Sequence, residues 1–196
     1  MSDFTPLRSV LYMPSSNAKA LEKAKTLAVD GIIFDLEDAV APDAKPDARE
    51  SAVAAVTSGA YGRRTLTIRV NGIGTQWHDD DIAAASKAGP DAIVVPKVNS
   101  ADEVRQLVAA MEEAGAPAHT KLWAMVETPI AILSALSIAQ ASDRLGAFVL
   151  GTNDLVKEMY AEPVPGRAPI LPSLHTALLA GRAAGIAVID GVYNNV

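Results

Sequence analysis

The chain has 196 residues, enough for one sizeable domain and short for two. Its 49% hydrophobic and 20% charged residues exclude disorder, and a formal charge of −6 argues against a nucleic-acid partner. With no cysteine there is no disulfide framework or thiolate metal site; no apolar run approaches the ~20 residues of a membrane span, and the polar Met1–Pro6 start resembles no secretory signal. A cytoplasmic location is the expectation.

Short apolar runs alternate with longer amphipathic ones. Strands are predicted at Ser9–Pro14, Gly31–Glu37, Thr65–Asn71, Ala92–Val98, Lys121–Thr128, Ala147–Thr152 and Ala187–Val192. These runs are rich in Val, Ile, Leu and Phe, as expected of strands buried on both faces. Between them, helices are predicted at Ala18–Val29, Lys45–Thr57, Gln76–Ala88, Ala101–Ala114, Pro129–Gln140, Asn153–Tyr160 and Leu171–Ala184. Gly89-Pro90 and Gly115-Ala116-Pro117 mark two of the stops. The segment Glu162–Pro172, with four prolines, reads as a long loop of the lid or contact kind.

Strand followed by helix in series predicts parallel strands and crossovers. Periodicity alone does not separate a doubly wound sheet from a (β/α)₈ TIM-type barrel. The polar residues do. Glu37-Asp38, Arg69 with Asn71, Lys97, Glu127, Asn153-Asp154 and Asp190 fall at nearly every strand end. A barrel draws its chemistry from many strand ends, whereas a doubly wound sheet uses one switch point. The expected architecture is therefore a single (β/α)₈ barrel domain over residues 1–196, lacking its eighth strand and helix.

Glu127 and Asp154 end consecutive strands, and two hard carboxylates with room for water are a Mg²⁺ arrangement. Each has a plainer reading: Asp154 as a helix cap, Glu127 as compensation of a helix N-terminus. Arg69 suits a ligand carboxylate gripped bidentately, or a salt bridge to an acid such as Glu37. Asp35 and Glu37 share a strand face and Asp38 follows, so these acids orient metal-bound water or Arg69, or else cap a helix and pair with Lys45 or Arg49. Lys19 and Lys23 lie one helical turn apart near Tyr12, which suits a phosphate and a base, or simply a solvated face. Gly72-Ile-Gly74 lacks the pattern of a dinucleotide fingerprint, and His78, His119 and His175 have no metal spacing. No serine sits in a nucleophile elbow.

Arg8-Ser-Val-Leu-Tyr-Met-Pro14, Phe34-Asp-Leu-Glu-Asp-Ala-Val-Ala-Pro42 and Lys45 with Ala48-Arg49 open an ordered set of motifs. Ile68-Arg-Val-Asn71, Val95-Pro-Lys-Val98, Val126-Glu-Thr-Pro129 and Leu150-Gly-Thr-Asn-Asp-Leu155 complete it. From about residue 7 onward the chain resembles the citrate lyase β-subunit family and its malyl-CoA and citramalyl-CoA lyase relatives. The resemblance implies Mg²⁺ on Glu127 and Asp154 and a keto-acid group on Arg69, with Glu127 also near substrate. It places the CoA ester at Tyr12, Lys19 and Lys23; Glu37 and Asp38 join Arg69 as the candidate catalytic residues. It also implies a homo-oligomer, a trimer or a multiple of one, and a proton-transferring aspartate in a segment beyond Val196. On that reading the 196 residues as written show little lyase activity.

The implied reaction cleaves a 3-hydroxyacyl-CoA into an acyl-CoA and a keto-acid. Alternatives are thioester hydrolysis at the same site, a class II pyruvate-type aldolase on free hydroxy-acids, and a non-catalytic CoA- or partner-binding barrel subunit.

Overall fold

A computed structural model describes residues 6–194. Its seven strands form one sheet in strict chain order: β1 (Val10–Pro14), β2 (Gly31–Asp35), β3 (Thr65–Arg69), β4 (Ala92–Val95), β5 (Lys121–Val126), β6 (Leu145–Leu150) and β7 (Ala187–Ile189). The pairs β1–β2, β2–β3, β3–β4 and β6–β7 are parallel. The order never reverses, so the sheet has no switch point of the doubly wound kind. The fold is parallel α/β with the sequential strand order of barrel-type proteins. No helix among the described residues is long and apolar enough to cross a membrane.

Each strand is two or three residues shorter than its polarity pattern suggests, except β1 and β6. Because β2 stops at Asp35 and β3 at Arg69, the acids Glu37 and Asp38 stand on a loop. The helices are α1 (Ala18–Ala24), α2 (Lys45–Thr57), α3 (His78–Ala88), α4 (Ala101–Glu113), α5 (Pro129–Leu133), α6 (Ala135–Ala139), α7 (Thr152–Glu158) and α8 (Leu171–Ala184). Three expectations change. Helix α1 ends five residues early in a turn, where Lys25 and Thr26 donate to the carbonyls of Glu22 and Lys23. The helix expected over Pro129–Gln140 is two short ones, broken at Ser134, where φ −98° and ψ 4° depart from helical geometry. The expected loop Glu162–Pro172 contains a 3-10 segment, Pro165–Ile170, kinked by positive φ at Gly166 and Arg167.

The chain divides into two compact units. One contains Pro6–Val95 with Ala109–Leu122. Its centre is β2, buried throughout, as a strand covered on both faces must be. Phe34 meets Tyr61 edge-on at 5.1 Å, and the Tyr61 hydroxyl donates to Leu21 carbonyl, docking the end of α1. The other unit contains Pro96–Val108 with the chain from Trp123 onward. There α8 packs on α6, and Gly181 admits Val188, whose methyl would lie 2.4 Å from any added Cβ.

Candidate active site

In the first unit the polar residues organise around Asp35. Its carboxylate is buried and takes four hydrogen bonds. Arg69 Nε and Nη2 donate to its two oxygens, each at 2.7 Å, and the amides of Glu37 and Ala39 donate at 2.9 and 3.1 Å. The bidentate grip fixes the guanidinium plane, while the amides fold the Leu36–Ala39 loop over it. Arg69 also meets Glu37 at 2.9 Å and Asp38 at 3.5 Å, and it lies over the Tyr12 ring at 4.9 Å. Burial alone works against its charge, yet the hydrogen bonds and charges of Asp35 and Glu37 outweigh this and hold its pKa above the usual value.

Arg69, Glu37, Asp38 and Tyr12 are thus together. The principal partner of Arg69, however, is Asp35, with Glu37 second. The hydrogen bonds of Lys45 and Arg49 go mainly to other groups. Lys45 donates to the carbonyls of Leu36 and Glu37, both at 2.8 Å, and to Asn71 Oδ1 at 2.6 Å. Burial depresses the pKa of Lys45, although Asp35 and Glu37 oppose the shift. Its three donors are matched by three acceptors, which makes a buried ammonium tolerable. Arg49 pairs instead with Asp81 at 2.6 Å, and Asp81 also accepts from the Asn71 side chain at 2.6 Å. Lys45, Asn71 and Asp81 therefore brace the loop that carries Glu37 and the chain just past Arg69. Sequence reasoning missed this bracing; its only signal was polar residues inside otherwise apolar periodicity.

Lys19 and Lys23 are both exposed on α1 and have no ion pair among the described residues. Tyr12, on the strand that leads into α1, carries the Arg69 guanidinium over its ring.

In the second unit, Glu127 follows β5 directly and is only 3% exposed. Its Oε1 accepts the Lys97 backbone N–H at 2.9 Å. The Lys97 ammonium stands 3.6 Å from Asp154 Oδ2, so one residue touches both predicted metal ligands. The strand ends are adjacent, since Gly151 N–H donates to Val126 carbonyl. Gly151 is required there: a Cβ would lie 2.0 Å from Glu127 Oε2 and 2.5 Å from its Cβ.

Neither carboxylate caps a helix, which overturns the plainer reading of Asp154. The cap of α5 is Thr128, whose hydroxyl accepts from Ala131 N–H at 3.1 Å with Pro129 in the first turn. The residue before α7 is Gly151, without a side-chain cap, and Asp154 lies inside the first turn.

Among the described residues, no three His, Cys, Asp or Glu side chains gather as a metal cage. Mg²⁺ does not need one, because it commonly takes one or two carboxylates and completes its shell with water and substrate oxygens. The two carboxylates around Lys97, with Gly151 leaving space for Glu127, fit that donor set.

A family model described as HpcH/HpaI aldolase/citrate lyase matches residues 8–196. The chain belongs to this family. Over 189 residues it is 46% identical to a (3S)-malyl-CoA thioesterase of Cereibacter sphaeroides, covering 96% of this chain and 64% of that one. It is 34% identical to citrate lyase subunit beta of Leuconostoc mesenteroides, covering 96% and 64%. The chain thus spans a little under two thirds of these curated relatives. The structure of Mycobacterium tuberculosis CitE in complex with magnesium, acetoacetate and coenzyme A superposes with a TM-score of 0.78 at 26% identity, covering 95% of this chain and 66% of that one. All the candidate residues lie inside the family match.

Proposed function

We propose that this citrate lyase β-like chain serves a Mg²⁺-dependent carbon–carbon lyase that splits a 3-hydroxyacyl-CoA into an acyl-CoA and a keto-acid. The observation that carries the reading is the buried Glu127 carboxylate, joined through Lys97 to Asp154 in the first turn of α7. Burying a carboxylate is costly, and neither acid serves as a helix cap. Glu127 and Asp154 would hold Mg²⁺, which when bound supplies Lewis-acid polarisation of the oxygen that becomes the keto group.

The chain's own residues divide the remaining work. Arg69 presents a fixed, permanently charged guanidinium to the substrate carboxylate, oriented in advance by Asp35 and flanked by Glu37 and Asp38. Lys19 and Lys23 are exposed cations for the phosphates of CoA. Cleavage breaks the bond between the thioester α-carbon and the carbinol carbon. The hydroxyl gives up its proton, the electron pair passes to the α-carbon, and one proton returns to that carbon. Atoms and electrons balance without a further reactant.

Hydrolysis of the same thioester is the second reading, favoured by the 46% identity to a malyl-CoA thioesterase. The class II aldolase on free hydroxy-acids gives no role to the exposed lysine pair. The test is Mg²⁺-dependent release of keto-acid from a malyl-CoA-type substrate. Glu127→Gln and Asp154→Asn are each expected to cut it by about 10²-fold or more, as loss of a charge-stabilising group does. Equal turnover in parent and both variants would refute the assignment.

A further inference from the structure

Lys97 follows β4 and takes a left-handed backbone, φ 53°, which side chains other than those of Gly, Asn and Asp rarely adopt. The turn is clamped on both sides. Its N–H donates to Glu127 Oε1 at 2.9 Å, and its carbonyl accepts from Asn99 Nδ2 at 2.8 Å. Asn99 is itself held, because its Oδ1 accepts the hydroxyl of Thr128, the cap of α5. Glycine would relieve this backbone, so a lysine there suggests a use for the ammonium, which lies 3.6 Å from Asp154.

We propose that Lys97 is a positioning residue that sets the divalent-ion affinity of Glu127 and Asp154. Its amide holds Glu127 in place, and its ammonium neutralises Asp154 until a divalent ion takes over that charge. This rests on the metal reading above and assigns to Lys97 the control of that site. The two roles have opposite signs. The amide favours metal by pre-orienting a ligand, whereas the ammonium competes by placing a like charge next to the ion.

The experiment is Mg²⁺ titration calorimetry on substrate-free protein, paired with thermal melting with and without Mg²⁺. Lys97→Met removes the ammonium and keeps the stem and the amide. It is expected to bind Mg²⁺ about tenfold tighter. It should also melt lower without metal and gain more from saturating Mg²⁺ than the parent does, because ligand stabilisation follows affinity. Lys97→Arg keeps the charge and should stay within about twofold of the parent. Asn99→Ala releases the clamp on the turn and should weaken Mg²⁺ binding several-fold.

A Lys97→Met variant that binds Mg²⁺ no tighter than the parent overturns the proposal, and so does a Lys97→Arg variant that behaves like Lys97→Met. If parent binding is lost in Glu127→Gln but unmoved in Lys97→Met, only the role of Lys97 falls. If the parent binds no Mg²⁺, or binds it equally after Glu127→Gln, the metal reading falls and this inference with it.

Discussion

Gly151→Ala adds one methyl group, and the structure gives its consequence. The backbone accepts alanine, since φ at Gly151 is −84°, so any penalty comes from contact alone. The new Cβ would meet Glu127 at three atoms: Oε2 at 2.0 Å, Cβ at 2.5 Å and Cδ at 2.9 Å. A rotamer change frees the carboxyl end but leaves the Cβ–Cβ clash, so the end of β5 must shift as well. Overpacking of this kind costs ~1–3 kcal/mol, and the upper half of that range is expected here. A displaced Glu127 also loses its contact with the Lys97 amide, so Mg²⁺ affinity should fall tenfold or more, equivalent to ~1.4 kcal/mol. Urea unfolding and Mg²⁺ titration read the two effects separately. In a Glu127→Gly background the clash partner is gone, and Gly151→Ala should cost well under ~1 kcal/mol, a coupling that the double-mutant cycle isolates. An equal penalty in both backgrounds, or an unchanged Mg²⁺ affinity in Gly151→Ala, would refute the reasoning.

Asp35→Ala leaves the buried Arg69 without its bidentate partner, so urea unfolding should show a loss of about 3–5 kcal/mol; a loss under ~1 kcal/mol would contradict the central place given to Asp35. Replacing Lys19 and Lys23 together by alanine should raise the CoA-ester KM at least tenfold, with binding that weakens in salt, as charged hydrogen bonds of ~1.5–3 kcal/mol each imply before screening. An unchanged KM would favour the free-acid aldolase. The Arg8 guanidinium, hydrogen-bonded to Asp30, holds that carboxyl well below the usual carboxylate range. The unfolded chain therefore binds this proton first on acidification, so the pair's stability is present above about pH 4 and is lost as pH falls through the depressed value. Unfolding curves from pH 5 to 2 should show the parent's advantage over Arg8→Ala shrinking, and a constant gap would count against the pair.

What the sequence made legible was periodic or local. Buried strands of Val and Ile announce themselves, and the polar residues at or just past their ends mark Arg69, Glu127 and Asp154 as candidates without any structure. Partner choice was not legible, because it is decided far along the chain. Asp35, Glu37 and Asp38 have equal local claims on a cation, and only the pairing of Asp35 with Arg69 across β2 and β3 singles out the first. Lys45 and Arg49 lie near those acids in sequence but are taken by Asn71 and Asp81, 26 and 32 residues away. The left-handed turn at Lys97 carries no signal, since lysine is not a residue that turn chemistry selects. The break at Ser134 lacks the glycine or proline that would have betrayed it, and α1 stops before Thr26 and Val29, whose β-branches weaken a helix without forbidding it.

Lyase and thioesterase chemistry leave different products from one substrate, and measuring both at once separates carbon–carbon cleavage from hydrolysis. With a malyl-CoA-type ester and Mg²⁺, keto-acid and free CoA thiol are quantified in the same reaction. Keto-acid is expected one-to-one with substrate consumed, with no matching rise in thiol and with loss of the signal on chelation of the metal. Thiol released one-to-one, with intact hydroxy-acid and no keto-acid, would contradict carbon–carbon cleavage.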